Sequence, residues 1–262
     1  MVGIRILGPL EIEGLAGPAR VDSYRQRAAL GLLALNANRL TSVEAMIDAV
    51  WDGQPPTTAR SQIQICVSAL RRVLTDSGCP AGIETRSPGY RLLIERADLD
   101  SERFEDLVTL ARAQEGDGDP TAAMVTLRRA LPLWRGPLLA DTPSAHIQRI
   151  AHRFTERRVA AQLSVSRIGL ELGRDREIIP ELREHIDAYP LREEAYGYLM
   201  LALHRCGRSA EALEVYQQAR SALIQQVGLE PSEDLRGLER AILGGGAPLA
   251  RPAWFEPVLR AG

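Results

Sequence analysis

An imperfect internal repeat in the second half of this chain constrains the fold more than any other feature. GRDREII, beginning at Gly173, lines up with GRSAEAL, beginning at Gly207, after a shift of 34 residues. On the same shift Leu182 meets Tyr216, and Tyr196, Leu199, Leu203, Ala212, Tyr216 and Ala219 surround the second copy. GDPTAAM over 118–124 is a weaker, earlier echo. A repeat of this length is one supersecondary unit that cannot bury its apolar face alone and so stacks on its neighbours. From Leu99 onward the apolar periodicity is helical throughout, with expected helices over 101–115, 121–134, 144–173, 176–189, 191–206, 209–227 and 232–243. The breaks at Gly116–Pro120 and Arg135–Pro143 carry the usual Gly and Pro punctuation.

A period of 34 with small residues at the helix crossings is the tetratricopeptide pattern, so residues 98–243 are expected to form an all-α, tetratricopeptide-like domain. Stacked helix pairs present an extended surface suited to peptides or helices of a partner. The tail over 244–262 is rich in Gly and Pro and reads as a flexible linker, in which Trp254-Phe255 is an aromatic pair able to dock. With 262 residues the chain is long enough for two cores. No apolar run approaches the length of a membrane span, and MVGIRILGPL lacks the basic start and long apolar stretch of a signal peptide, so a cytoplasmic protein is expected. Cys66, Cys79 and Cys206 are scattered and odd in number, which gives no disulfide framework and suits reduced thiols.

The first 97 residues are patterned differently. Ile4 and Ile6, then Leu10 and Ile12, alternate with Gly or charged residues as in short strands. Ser23 with Gln26 is a capping-box pattern before the almost uninterrupted apolar run AALGLLALNAN. Thr41 with Glu44 is a second such pattern, opening a helix that ends at Asp52-Gly53 and Pro55-Pro56. A third helix runs from Thr57 or Thr58 to about Thr75, with Ile63, Val67, Leu70 and Leu74 on one buried stripe. Ile83–Arg86 and Tyr90–Ile94, joined by Ser87-Pro88-Gly89, read as a β-hairpin. The fold class is therefore mainly α with a small β component: a winged helix-turn-helix over 1–97, then the helical-repeat domain.

A helix fits the major groove, where its outward polar side chains reach base edges. The third helix has the required split face, since Ser61, Gln64, Ile65, Ser68 and Arg72 lie opposite the apolar stripe. No acidic residue falls between Ala59 and Thr75, as a surface facing phosphates requires, although nine acids lie elsewhere in 1–97. Arg60, Arg71 and Arg72 are candidates for phosphate or guanine, Gln64 for adenine and Ile65 for a thymine methyl. Arg86 and Arg91 flank the hairpin turn, and Arg25 and Arg27 open the first helix as candidate backbone clamps. All 32 basic residues are Arg, which reflects genome composition more than nucleic-acid binding, and the net charge is −2. That charge is uneven: residues 1–97 carry 11 Arg against 9 acids, and residues 98–243 carry 19 against 24.

Enzyme signatures are missing. His146, His152, His185 and His204 lack metal-ligand spacing, and there is no nucleophile elbow, phosphate-binding loop or dinucleotide fingerprint. Gly244–Gly246 is followed by no Lys-Ser/Thr. No enzyme activity, metal or cofactor is expected.

These segments carry a resemblance. RILGPLEI, RQRAALGLLALNANRLTSVEAMIDAVW, PPTTARSQIQICVSALRRVL and RSPGYRL resemble the OmpR/PhoB-type winged helix, the effector type of two-component systems, as found in the Streptomyces antibiotic regulatory protein family. DLDSERFEDLV, LRRALPLWRGPLLAD, YPLREEAYGYLMLALHRCGRSAEALEVYQQAR and GLEPSEDLRGLERAIL resemble that family's bacterial transcriptional activation domain. The resemblance covers about residues 2–243, in family order, and the length suits a small, stand-alone member. It implies an activator of a secondary-metabolite, typically antibiotic, gene cluster that binds direct repeats near the −35 element. It also implies side-by-side protomers on double-stranded promoter DNA and recruitment of the RNA polymerase holoenzyme. The third helix departs from the family at Ile65, where a polar residue is common, and at Ala69, often basic, which bears on the bases preferred. A repressor, or an adaptor whose winged helix no longer reads DNA, are the alternatives the residues leave open.

Overall fold

The computed structural model describes residues 2–142 and 144–244, so the tail with Trp254-Phe255 lies outside the described residues. Two compact units divide the chain: residues 1–113 with 128–159, and residues 114–127 with 160–262. The winged helix expected over 1–97 lies whole within the first unit, which also takes in 98–113 and 128–159.

The first unit opens with an antiparallel meander, β1 (Gly3–Arg5), β2 (Glu11–Gly14) and β3 (Gly17–Ala19), in register Ile4 to Ile12 and Ile12 to Ala19. Ile4, Ile6, Leu7 and Ile12 are all buried. Helix α1 (Tyr24–Leu35) follows, and every residue from Ala28 to Leu35 is buried, as an all-apolar sequence requires. Its expected capping box does not form. Ser23 occupies the N-cap without a side-chain bond, and Arg27 instead donates to the Val21 and Asp22 carbonyls. The second box also shifts by one residue. Thr41 belongs to β4 (Thr41–Ser42), paired with Tyr90, while Ser42 caps α2 (Val43–Trp51) by accepting from the Ala45 amide at 3.1 Å. A sheet bond from outside the helix outcompetes the local pattern at Thr41.

Helix α3 (Ala59–Ser77) packs against α1 and α2 through Ile63, Val67, Leu70 and Leu74, each at most 1% exposed. The hairpin is β5 (Gly82–Arg86) and β6 (Gly89–Leu93), and β4 joins it in the order β4-β6-β5. Gly89 is dictated by close approach, since a Cβ there would sit 1.9 Å from the Thr41 carbonyl oxygen.

Helices α4 (Asp100–Gly116), α5 (Pro120–Ala130) and α6 (Ala145–Glu171) come next. Within the first unit, the buried Asp100 carboxylate accepts the Ile6 and Leu7 amides at 2.8 and 3.0 Å. The Arg135 and Leu139 amides donate to the Leu7 and Ile6 carbonyls, and the Phe104 and Trp134 rings meet edge to face at 5.7 Å. Residues beyond 97 thus supply hydrogen-bond partners to the Ile6–Leu7 backbone between β1 and β2.

The second unit contains α7 (Asp175–Ala188), α8 (Glu193–Arg205), α9 (Ser209–Val227) and α10 (Glu233–Leu243). The repeat appears here as repeated turn geometry. The Arg174 amide donates to the Gly169 carbonyl at 2.8 Å, and 34 residues on the Arg208 amide donates to the Leu203 carbonyl at 2.9 Å. Asp119 donates to Gln114 at 2.8 Å in the same way, so the 118–124 echo is a third copy of the turn. Gly118, Gly173 and Gly207 all have positive φ, 83°, 68° and 76°, which is why glycine recurs there. Leu182, Tyr196, Leu199, Leu203, Ala212, Tyr216 and Ala219 form the core. Gly169 lets α7 approach closely, since a Cβ there would lie 2.5 Å from an Ile178 methyl. Arg167 is buried and bridges Glu115 at 2.5 Å and Glu171 at 3.0 Å, so its charge is paired on both sides.

Candidate nucleic-acid interface

The apolar stripe of α3 fixes which side of that helix meets solvent. With Ile63, Val67, Leu70 and Leu74 turned into the unit, Arg60, Ser61, Gln64, Ile65, Ser68 and Arg72 are all exposed on the other side. Ile65 is 67% exposed, an unusual placing for a large aliphatic residue, and the Arg72 side chain is 83% exposed. Burying such an isoleucine against an apolar surface recovers transfer free energy that solvent exposure forgoes. The helix has no acid in its first turn, and its first carboxylate is Asp76, 3.8 Å from Arg72.

The arginines fall into two groups. Arg72 and Arg60 are held loosely by single exposed partners, Arg60 by Glu44 at 2.6 Å. Exposed pairs of this kind are worth little and exchange readily for other anions. A hydrogen bond to its own backbone amide and the Arg60 guanidinium hold the Glu44 carboxyl below the usual range. Arg71, by contrast, is committed inside the unit. Its Nε donates to the Ile83 carbonyl and its Nη2 to Thr85 Oγ1, both at 2.8 Å, tying α3 to β5. Arg27 is committed too, to the Val21 and Asp22 carbonyls, with Asp141 3.6 Å from its Nε.

Arg25 stands between these cases. Its guanidinium lies 5.5 Å from the Trp51 ring centroid and donates to Gln62 Oε1 at 2.6 Å, while Gln62 donates to Thr58 Oγ1. It is exposed and sits where α1, α2 and the start of α3 converge. At the hairpin, Glu84 accepts from Arg91 at 2.6 Å and from Arg86 at 2.9 Å, so one carboxylate collects both candidate arginines. The Arg91 hydrogen bond and the neighbouring Arg86 charge hold the Glu84 carboxyl low. Arg86, Ser87 and Pro88 at the tip are exposed.

The structure therefore gathers Arg60, Ser61, Gln64, Ile65, Ser68 and Arg72 on one face and sets Arg86 and Arg91 on the hairpin. Glu44 and Glu84 hold three of the arginines; the sequence marks Glu44 only as half of a capping box and Glu84 not at all, since opposite charge is the one local signal of such pairs. Asp52 was read only as a helix stop. Its carboxylate accepts from the Ser144 hydroxyl and from the Ala145 and His146 amides, each at 3.1 Å, and so caps α6. Burial opposes ionisation there, but those amides outweigh it and hold the carboxyl low. The partners lie more than 90 residues apart in sequence, beyond the reach of any local pattern.

Among the described residues no three His, Cys, Asp or Glu side chains gather to hold a metal ion, and no helix is long and apolar enough to cross a membrane. Cys66 and Cys79 are buried, and burial pushes both thiols up. In the second unit, α7, α8 and α9 line a cavity of about 320 Å³ with Ile186, Leu199 and Val215 beside Arg183, Asp187 and Glu211.

Residues 23–92 match the family described as "Transcriptional regulatory protein, C terminal", and residues 99–243 match "Bacterial transcriptional activator domain". The chain is 34% identical to the regulatory protein AfsR of Streptomyces griseus over 95% of its own length, which is 25% of AfsR. It is 32% identical to the regulatory protein DnrI of Streptomyces peucetius, covering 92% of this chain and 91% of DnrI. The solved structure of Mycobacterium tuberculosis EmbR in complex with a low affinity phosphopeptide superposes with a TM-score of 0.88 at 31% identity, over 94% of this chain and 66% of that one. Both matched domains define a bacterial transcriptional regulator. The chain belongs to the Streptomyces antibiotic regulatory protein family of transcriptional activators.

Proposed function

We propose that this chain is a sequence-specific DNA-binding activator of a secondary-metabolite gene cluster, with α3 lying in the major groove and the β5–β6 hairpin touching the adjacent backbone. The observation that carries this reading is the outer face of α3: six exposed residues able to address bases or phosphates, on a helix with no acid before Asp76. Gln64 and Ser68 supply hydrogen bonds, Ile65 an apolar contact, and Arg60 and Arg72 charge. Residues 1–97 do the reading, 98–243 contact partner proteins, and 244–262 act as a tail. Protomers bind side by side on direct repeats near the −35 element and recruit RNA polymerase holoenzyme, in the cytoplasm and without catalysis. AfsR, DnrI and EmbR, as named regulatory proteins, support the regulatory role.

Footprinting of the purified chain over the promoters that neighbour its gene tests the proposal. Protection of two directly repeated half-sites is expected, and transcription with purified polymerase should rise on addition of the protein. Protection with falling transcription would make the chain a repressor. No protection on any neighbouring promoter would refute the reading.

A further inference from the structure

The division into compact units redistributes charge. The first unit carries 20 Arg against 16 acidic residues and the second 12 against 18, a net of +4 and −6. Split at residue 97, the first part has a net of only +2. The difference comes from 128–159, which brings 7 Arg and only 2 acids, Asp141 and Glu156.

Part of that charge is spent inside the unit. Arg135 pairs with Glu11 at 2.7 Å, Arg157 with Glu105 at 2.5 Å, and Arg158 lies 5.1 Å from the Trp134 ring centroid. Two of the remaining arginines, Arg149 and Arg153, share a face of α6. The first turns of α6 bury Ile147, Ala151 and Phe154, which leaves Gln148, Arg149, His152 and Arg153 exposed on the opposite side. No acid occurs between Thr142 and Thr155, and the first one, Glu156, lies 4.0 Å from His152. Among the described residues neither Arg149 nor Arg153 has an acidic partner; Arg153 lies 5.0 Å from the Phe154 ring centroid. None of the large exposed apolar residues falls in 145–159. A protein-binding face would carry an apolar or aromatic centre, whereas cations with polar companions alone suit phosphate.

The position also fits. Asp52, at the end of α2, holds the first amides of α6 at 3.1 Å, and only residues 53–58 separate Asp52 from Ala59 at the start of α3. A chain of that length spans at most about 25 Å, less than the roughly 34 Å of one turn of duplex.

We infer that the Arg149–Arg153 face of α6 is a second DNA-contacting surface, which grips duplex phosphates beside the site read by α3 without reading sequence. This rests on the proposed DNA-binding role of α3. The test uses the full chain with Arg149→Gln and Arg153→Gln together, on promoter DNA from 50 to 200 mM salt. Each lost phosphate contact lowers the slope of log affinity against log salt by about 0.9. The double variant should therefore show a slope shallower by about 1.8 and lose about tenfold less affinity than the native chain across that range. Its loss at low salt should be equal on promoter and unrelated DNA, and its footprint should retreat at one edge. Both residues are exposed, so thermal stability should stay native; a melted variant is replaced by Arg149→Ala alone, with an expected slope change of about 0.9. An unchanged slope and footprint, with Arg72→Ala still weakening binding, overturns the inference and leaves the α3 reading intact. Native DNA binding with loss of activated transcription overturns it in favour of an acidic protein partner. No promoter binding by the native chain sinks both.

Discussion

Arg71 and Arg72 adjoin on α3, yet the structure gives them opposite work, and replacing each by Ala separates the two. Arg72 makes one exposed contact, 3.8 Å from Asp76. Exposed helix pairs contribute about 0.3–0.5 kcal/mol, so Arg72→Ala should leave unfolding within roughly 0.5 kcal/mol of native. Its effect should fall on DNA: a slope of log affinity against log salt shallower by about 0.9 for a phosphate contact, or a loss of about 1–3 kcal/mol at one base position for a bidentate guanine contact. Arg71 makes two 2.8 Å bonds to β5, one to a backbone carbonyl. Hydrogen bonds from a charged donor contribute about 1.5–3 kcal/mol, so Arg71→Ala should lower stability by about that much and loosen the hairpin. Its salt slope should stay native. Urea melts and fluorescence-anisotropy salt titrations on the same two variants give both readouts. The reasoning fails if Arg71→Ala flattens the salt slope at native stability, or if Arg72→Ala unfolds the protein and binds DNA normally once folded.

Other expectations are independent of that pair. Burial, with Arg192 nearby, pushes His185 down from 6.5 to about 4, so the fold favours the neutral ring. Its contribution is complete above pH 6.5 and lost as pH falls toward 4, on the order of 3 kcal/mol in total; His185→Leu should flatten the pH dependence of the melting temperature there, and parallel curves would contradict it. Gly89→Ala should cost about 1–3 kcal/mol in denaturant melts because the new methyl meets backbone, whereas Gly82→Ala, with open space around it, should be nearly silent. Glu84→Gln releases Arg86 and Arg91 at the hairpin, and gel shifts should show about two- to fivefold tighter binding to unrelated DNA, in line with a weak exposed ion pair; weaker binding would mean that Glu84 positions those arginines for contact.

Much of this protein was legible in its sequence because the signals involved are local. The stripe Ile63, Val67, Leu70 and Leu74 is a helical period, and it alone oriented α3 and placed Gln64, Ser68 and Arg72 outside. The Gly173 and Gly207 phrases mark turns where only a residue tolerant of positive φ fits, so the repeat could be read without coordinates. Ser23 and Thr41 show where local reading stops: both fit a capping box, but Arg27 supplies the bonds near Ser23 and a sheet claims Thr41. Tertiary structure alone decided which arginines are spent. Arg71 is held by residues 12 and 14 positions away, Asp52 caps a helix 93 and 94 positions on, and Asp100 receives amides 93 and 94 positions back. Hydrophobic period records which way a side chain faces but not which distant group it meets, because that choice is made when the chain closes its long loops. It is the closure that moved 128–159 into the first unit and gave that unit its positive charge.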